Sequence, residues 1–96
     1  MAFDQMKMLN ELRKAQKDLK KQKVVVSAAD DMVEVTINGE LKIENVKIDP
    51  KMVDLDNIEE LEKAIQNAVR DGLAKAQEIA AEKMKPLMGG LGNLGL

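Results

Sequence analysis

A chain of 96 residues is enough for one domain that buries roughly 60 to 65% of its unfolded surface, so the core is modest and a partner would help to complete it. With no cysteine and no histidine, disulfides and thiolate metal sites are excluded, and the usual general base near neutral pH is missing. The net charge of −2, with 33% charged and 45% hydrophobic residues, fits a globular domain and leaves no run of the ~20 apolar residues that a membrane span requires.

The charge is sorted along the chain. Residues 1–23 carry seven Lys/Arg against three Asp/Glu, a local +4, while the remainder carries −6. The opening MAFDQMKMLN holds no apolar run of signal-peptide length, so the expected location is the cytoplasm. Residues 2–22 contain neither Gly nor Pro and are rich in Lys, Leu, Gln, Met and Ala, which predicts one helix of five to six turns. At about 100° per residue, Met8, Leu12, Ala15 and Leu19 fall on one narrow stripe with Leu9 at its edge. A 4-3-4 spacing of this kind suits a helix that packs along another helix. Opposite the stripe, Lys7, Arg13, Lys14, Lys17, Lys20 and Lys21 share an arc, with Asp4, Glu11 and Asp18 gathered on one flank.

KVVVSAA is β-branched enough for a strand, and Asp30-Asp31 signals the turn that follows. MVEVTIN alternates, with Val33, Val35 and Ile37 directed to a core and Glu34 and Thr36 away from it. Asn38-Gly39 is the preferred pair for a two-residue type I′ turn and predicts positive φ at Gly39. In the next strand Leu41 and Ile43 have one parity and Val46 and Ile48 the other, so a bulge near Glu44-Asn45 is expected. Asp49-Pro50 ends that strand, because proline lacks a ladder donor.

From Asp56 to about Lys85 the pattern is helical again, with Asp56 as the expected N-cap and Glu59 completing a capping box. Its buried stripe is predicted to be Ile58, Leu61, Ile65, Ala68, Val69, Gly72, Ala76 and Ile79, in which small residues at 68, 72 and 76 permit a close approach. Pro86 is expected to close the helix. The chain thus reads as a single α+β domain over residues 1–86, a three-stranded antiparallel sheet flanked by two long helices, followed by a flexible Gly/Leu-rich tail at 87–96.

This order, with V-x-V-T-x-N-G followed by V-x-I-D-P, resembles the YbaB/EbfC group of bacterial nucleoid-associated proteins. The matching residues are Val33, Val35, Thr36, Asn38 and Gly39, then Val46, Ile48, Asp49 and Pro50, preceded by KAQKDLKKQ in the first helix. The resemblance implies an α-β-β-β-α subunit that forms a tweezer-like homodimer and binds double-stranded DNA in the nucleoid. Relatives commonly carry glycines just before the second strand, where this chain has Ala28, Ala29, Asp30 and Asp31, and a GGLGNL-like element ahead of the first helix, which here stands at the C-terminus.

The functional expectation joins both readings. Lys7, Arg13, Lys14, Lys17, Lys20 and Lys21 are the candidate nucleic-acid contacts, and their five lysines to one arginine suit phosphate neutralisation better than bidentate base recognition. Phe3 is the only aromatic residue, so the stacking platforms of single-strand and RNA readers are missing and duplex DNA is the favoured partner. The hairpin is expected to serve as core and dimer platform, because Glu34, Glu40 and Glu44 would repel phosphate. The carboxylates between Asp54 and Glu62 complement a helix start, and neither a metal, a cofactor nor a small-molecule substrate is expected. An enzyme would need a nucleophile paired with a base, which the sequence does not supply. The alternative is a dimeric adaptor whose helices grip another protein while the basic face keeps it soluble.

Overall fold

The computed structural model describes the backbone of residues 2–92 and the side chains of residues 5–85. The elements are α1 (Ala2–Lys21), β1 (Lys23–Ala28), β2 (Val33–Asn38), β3 (Ile43–Ile48) and α2 (Ile58–Gly92), the α-β-β-β-α order that the sequence predicts. The strands pair antiparallel in the order β1-β2-β3. The molecule is a rod of 64 × 21 × 15 Å, because α2 alone runs for about 50 Å at ~1.5 Å per residue.

The core lies between α2 and the first two strands. Val33, Val35 and Ile37 of the central strand are fully withdrawn from solvent, with Val24 and Val26 of β1 beside them, as their alternation requires. α2 lies across β1 and β2 and meets them with a line of small residues, Ala64, Ala68, Gly72 and Ala76, all buried. A Cβ on Gly72 would stand 2.6 Å from Ile37 Cδ1, so the helix axis is as near the sheet as side chains allow. The larger members of the expected stripe, Leu61, Ile65, Val69 and Ile79, are half-buried on its flanks, and Ile58 at the helix start is exposed. Ala64, which the expected stripe omits, belongs to the spine.

β3 departs from the expectation that the whole hairpin is core. Its register, Val33↔Ile48, Val35↔Val46 and Ile37↔Ile43, puts its apolar residues on the same face as the buried ones of β2. All six residues of β3 are nevertheless exposed, because α2 does not extend over this edge. The expected bulge is present: the register shifts by one residue between Thr36 and Ile37, so that Glu44 is the extra residue. Apolar Ile43, Val46 and Ile48 therefore continue the core face into solvent; Met52 and Leu55 of the segment leading into α2, and Ile58 at its start, are exposed too.

The turn expected at Asp30-Asp31 is present, and the one at Asn38-Gly39 differs from expectation. The type I′ signal at Asn38-Gly39 is overruled by a three-residue loop: Asn38 N–H donates to Lys42 O at 3.0 Å and Leu41 N–H to Asn38 O at 3.0 Å. Asn38 Oδ1 accepts from the N–H groups of Glu40 at 2.9 Å and Lys42 at 3.2 Å. The positive φ falls on Leu41 at 66°, and Gly39 has no left-handed backbone. Glycine is needed at position 39 for a different reason: its N–H donates to Leu19 O at 2.8 Å and to Gln22 O at 3.1 Å, and a Cβ there would lie 2.5 Å from Leu19 O. In the turn between β1 and β2, Ala29, Asp30 and Asp31 take φ of 54°, 55° and 69°, left-handed conformations that glycine adopts freely, aspartate tolerates and alanine takes only with strain.

The ends of α2 also shift. Asn57 rather than Asp56 precedes the first helical residue, with Asn57 Nδ2 donating to Glu60 Oε2 at 3.4 Å, so the cap and its partner lie one residue later than expected. Asp56 is held outside the helix by its N–H donating to Asp54 Oδ1 at 2.9 Å. α2 continues through Pro86 to Gly92; a proline removes one rung of the ladder, and the turns on either side sustain the helix. Of the flexible tail expected at 87–96, residues 93–96 lie outside the described residues.

Candidate nucleic-acid interface

α1 packs against α2 and touches β2. The side withdrawn from solvent is the predicted one, with Met8, Leu12 and Ala15 half-buried and Leu19 buried. That stripe fixes the rotation of the helix, and the rotation decides the fate of the charges. Lys7, Arg13, Lys14, Lys17, Lys20 and Lys21 are all exposed, so the arc is a real surface extending along about 21 Å of helix from Lys7 to Lys21 at ~1.5 Å per residue. Glu11 and Asp18 are also exposed; Asp4 lies outside the described side chains. The closing Lys20 and Lys21 stand at the C-terminal end of α1, where the helix dipole favours cations.

The base of this helix is fastened to the sheet. Gly39 at the hairpin tip accepts no side chain because it meets the backbone of Leu19, and its two hydrogen bonds reach the last turn of α1. Two acidic residues of the hairpin, Glu40 and Glu44, are paired with lysines. Lys23 Nζ stands 2.9 Å from Glu44 Oε2, and Lys42 Nζ 3.7 Å from Glu40 Oε2. The Glu44 carboxyl is held below its ordinary value, first by the hydrogen bond from Lys23 and also by the nearby charge of Lys20. The charge of Lys20 thus adds to the field at Glu44, whereas Lys23, absent from the predicted arc, pairs with that carboxylate directly. The order of residues does not reveal either relation, because both depend on where the bulge carries Glu44.

Other surface features have less chemical content. A shallow depression lined by Asp31, Glu34, Lys47, Ile48, Asp49 and Pro50 mixes both signs of charge. Among the described residues no group of three His, Cys, Asp or Glu side chains is arranged to hold a metal ion, and no helix is long and apolar enough to cross a membrane.

A small sheet covered on one face by a long helix, with a second helix presenting an exposed cationic side, defines an α+β protein built around a charged arm. The chain belongs to the YbaB/EbfC DNA-binding family, whose model matches residues 2–91. It is 40% identical over 89 residues to a nucleoid-associated protein of Rhodococcus opacus (strain B4), covering 93% of this chain and 79% of that one. A nucleoid-associated protein of Syntrophobacter fumaroxidans is 41% identical over 87 residues, covering 91% and 79% of the two chains. The fold is also that of an uncharacterized protein from Helicobacter pylori, whose crystal structure matches with a TM-score of 0.81 at 18% identity over 91% of both chains.

Proposed function

We propose that this protein is a nucleoid-associated protein of the bacterial cytoplasm that binds double-stranded DNA as a homodimer, using the cationic side of α1 for the phosphates. The observation that carries the reading is the exposure of all six arc residues on a helix whose opposite side is packed. Flexible ammonium groups on a rigid rod neutralise a duplex backbone and contribute affinity that is largely independent of sequence. Local field, rather than the net charge of −2, supplies the attraction. By organising bound DNA the protein would influence nucleoid structure and gene expression.

The homodimer reading is supported by the uncovered edge of the sheet. Ile43, Val46 and Ile48 present an apolar surface on the core face of the sheet beyond the cover of α2, and Met52, Leu55 and Ile58, between β3 and the first turn of α2, are exposed as well. Leu55 is 81% exposed, and large apolar side chains left in solvent in this number suit an interaction surface. A second copy meeting it would complete the small core and carry two α1 arms on one body. The same surface would serve the adaptor alternative, in which the occupant is another protein and the arc only maintains solubility.

A gel-shift titration on several unrelated duplexes at two salt concentrations tests the proposal. Similar affinity for all of them, falling steeply with salt, is the expected result. Absence of binding at low salt would refute the DNA reading and leave the adaptor.

A further inference from the structure

The cationic side of α1 has an internal order. At about 100° per residue, Met6, Asn10, Lys17 and Lys21 lie within roughly 30° of the midline of the arc. Lys7 and Lys14 stand some 50° to 70° to one side, and Arg13 and Lys20 the same distance to the other. The arc is therefore two rows of cations with a central ridge between them. The N-terminal half of that ridge holds no charge. Among the described side chains it consists of Met6, 66% exposed, and Asn10, also exposed, about one helical turn apart. Neither belongs to the stripe that packs: Met8, Leu12, Ala15 and Leu19 are on the far side. The other amides within the helix, Gln5 and Gln16, fall well outside the arc, so Asn10 is the one amide that the cations surround.

In the N-terminal half of α1, cations on both sides of an uncharged ridge match the major groove of duplex DNA. The groove is about 12 Å wide, accepts an α-helix, and is bordered on each side by a phosphate backbone. The N-terminal half of α1 entering it would set Lys7 and Lys14 against one backbone and Arg13 against the other, with Met6 and Asn10 toward the base edges, while Lys17 and Lys21 further along the helix remain for phosphates. An asparagine amide at the ridge can donate to adenine N7 and accept from adenine N6–H2 as a bidentate pair, and an apolar side chain beside it can cover the C5-methyl of thymine. We infer that Asn10, with Met6 one turn before it, reads A·T base pairs in the major groove, so that a modest sequence preference is built into a mainly phosphate-driven grip. The inference rests on the proposed role of α1 as the DNA-facing arm.

The test uses the full-length protein and duplexes altered one groove atom at a time. Affinity is measured by fluorescence anisotropy for an A·T duplex, for the same duplex with 7-deazaadenine, which lacks N7, and for the same duplex with uracil in place of thymine, which lacks the methyl. The wild type is expected to bind the natural duplex about tenfold more tightly than the 7-deaza form, and also more tightly than the uracil form. Asn10→Ala should lose the first discrimination and keep the salt slope; Met6→Ala should lose the second. Both changes are at exposed helix positions where alanine is a good helix former, and circular dichroism confirms folding. Equal wild-type affinity for all three duplexes, or discrimination that persists in both variants, would overturn the inference while leaving the phosphate-binding arm intact. Failure to bind any duplex would overturn both.

Discussion

Replacing Gly39 by alanine is the sharpest test of how the arm is joined to the body. The added Cβ would sit 2.5 Å from Leu19 O and 2.9 Å from Leu19 Cα. Both atoms are backbone, so no rotamer change relieves the collision, and the end of α1 must move. Moving it releases the hydrogen bonds from Gly39 N–H to Leu19 O at 2.8 Å and Gln22 O at 3.1 Å and loosens the packing of buried Leu19. About 1 kcal/mol for the weakened hydrogen bonding and about 2 kcal/mol for overpacking give ~3 kcal/mol. For a domain of this size that corresponds to a fall in the thermal midpoint of roughly 12 °C or more. Thermal unfolding followed by circular dichroism reads the effect directly. Gly39→Asn separates the two explanations of this glycine: asparagine tolerates positive φ, so turn strain would leave it nearly harmless, whereas the contact with Leu19 makes it as damaging as alanine. A midpoint for Gly39→Ala within about 2 °C of the wild type would refute the reasoning.

Three further outcomes follow from other parts of the molecule. Ala29→Gly removes a side chain from a residue at φ 54°, and relief of strain, partly offset by greater freedom of the unfolded chain, should stabilise by about 0.5 to 1 kcal/mol; a lower urea midpoint would count against it. Glu44 has a folded-state pKa held below its ordinary value, chiefly by the hydrogen bond from Lys23, so its stabilising effect is present above the unfolded value and lost as pH falls through the folded one. The pair is solvent-exposed and its contribution small, yet Glu44→Gln should show a slightly smaller loss of stability between pH 6 and pH 3 than the wild type, and an identical loss would contradict the pairing with Lys23. Sedimentation should give a dimer mass for the wild type at micromolar concentration, and Val46→Asp with Ile48→Asp should give a folded monomer, since both side chains are exposed in the single chain; a wild-type monomer would remove the two-armed body.

Much of this architecture is legible in the residue order because it rests on local periodicity. The alternation of Val33, Val35 and Ile37 turns one face of β2 to the core, the change of parity between Ile43 and Val46 puts a bulge near Glu44-Asn45, and the spacing of Leu12, Ala15 and Leu19 orients α1. The misreadings arise where a distant contact overrides a local preference. Asn38-Gly39 suits a type I′ turn, but the close passage of Leu19 is what requires glycine there, and the positive φ moves to Leu41. The apolar residues of β3 have a core pattern because they share a face with the core; that α2 stops short of them is a matter of tertiary placement. For the candidate site, the exposed arc was readable from helical spacing alone. The pairing of Lys23 with Glu44 and the nearness of Lys20 to the same carboxylate were not, since residues that far apart in the chain meet only through the folded hairpin.

The central claim, that the cationic side of α1 grips DNA through phosphates, is tested most directly by the salt dependence of binding in a triple variant. Lys14, Lys17 and Lys21 are exposed and lie away from the packed stripe, so changing all three to Gln should leave the fold intact. Each phosphate contact contributes about 0.9 to the slope of log affinity against log salt. The account predicts weaker binding to every duplex and a slope smaller in magnitude by up to about 2.7. A folded triple variant with unchanged affinity and unchanged slope would contradict it.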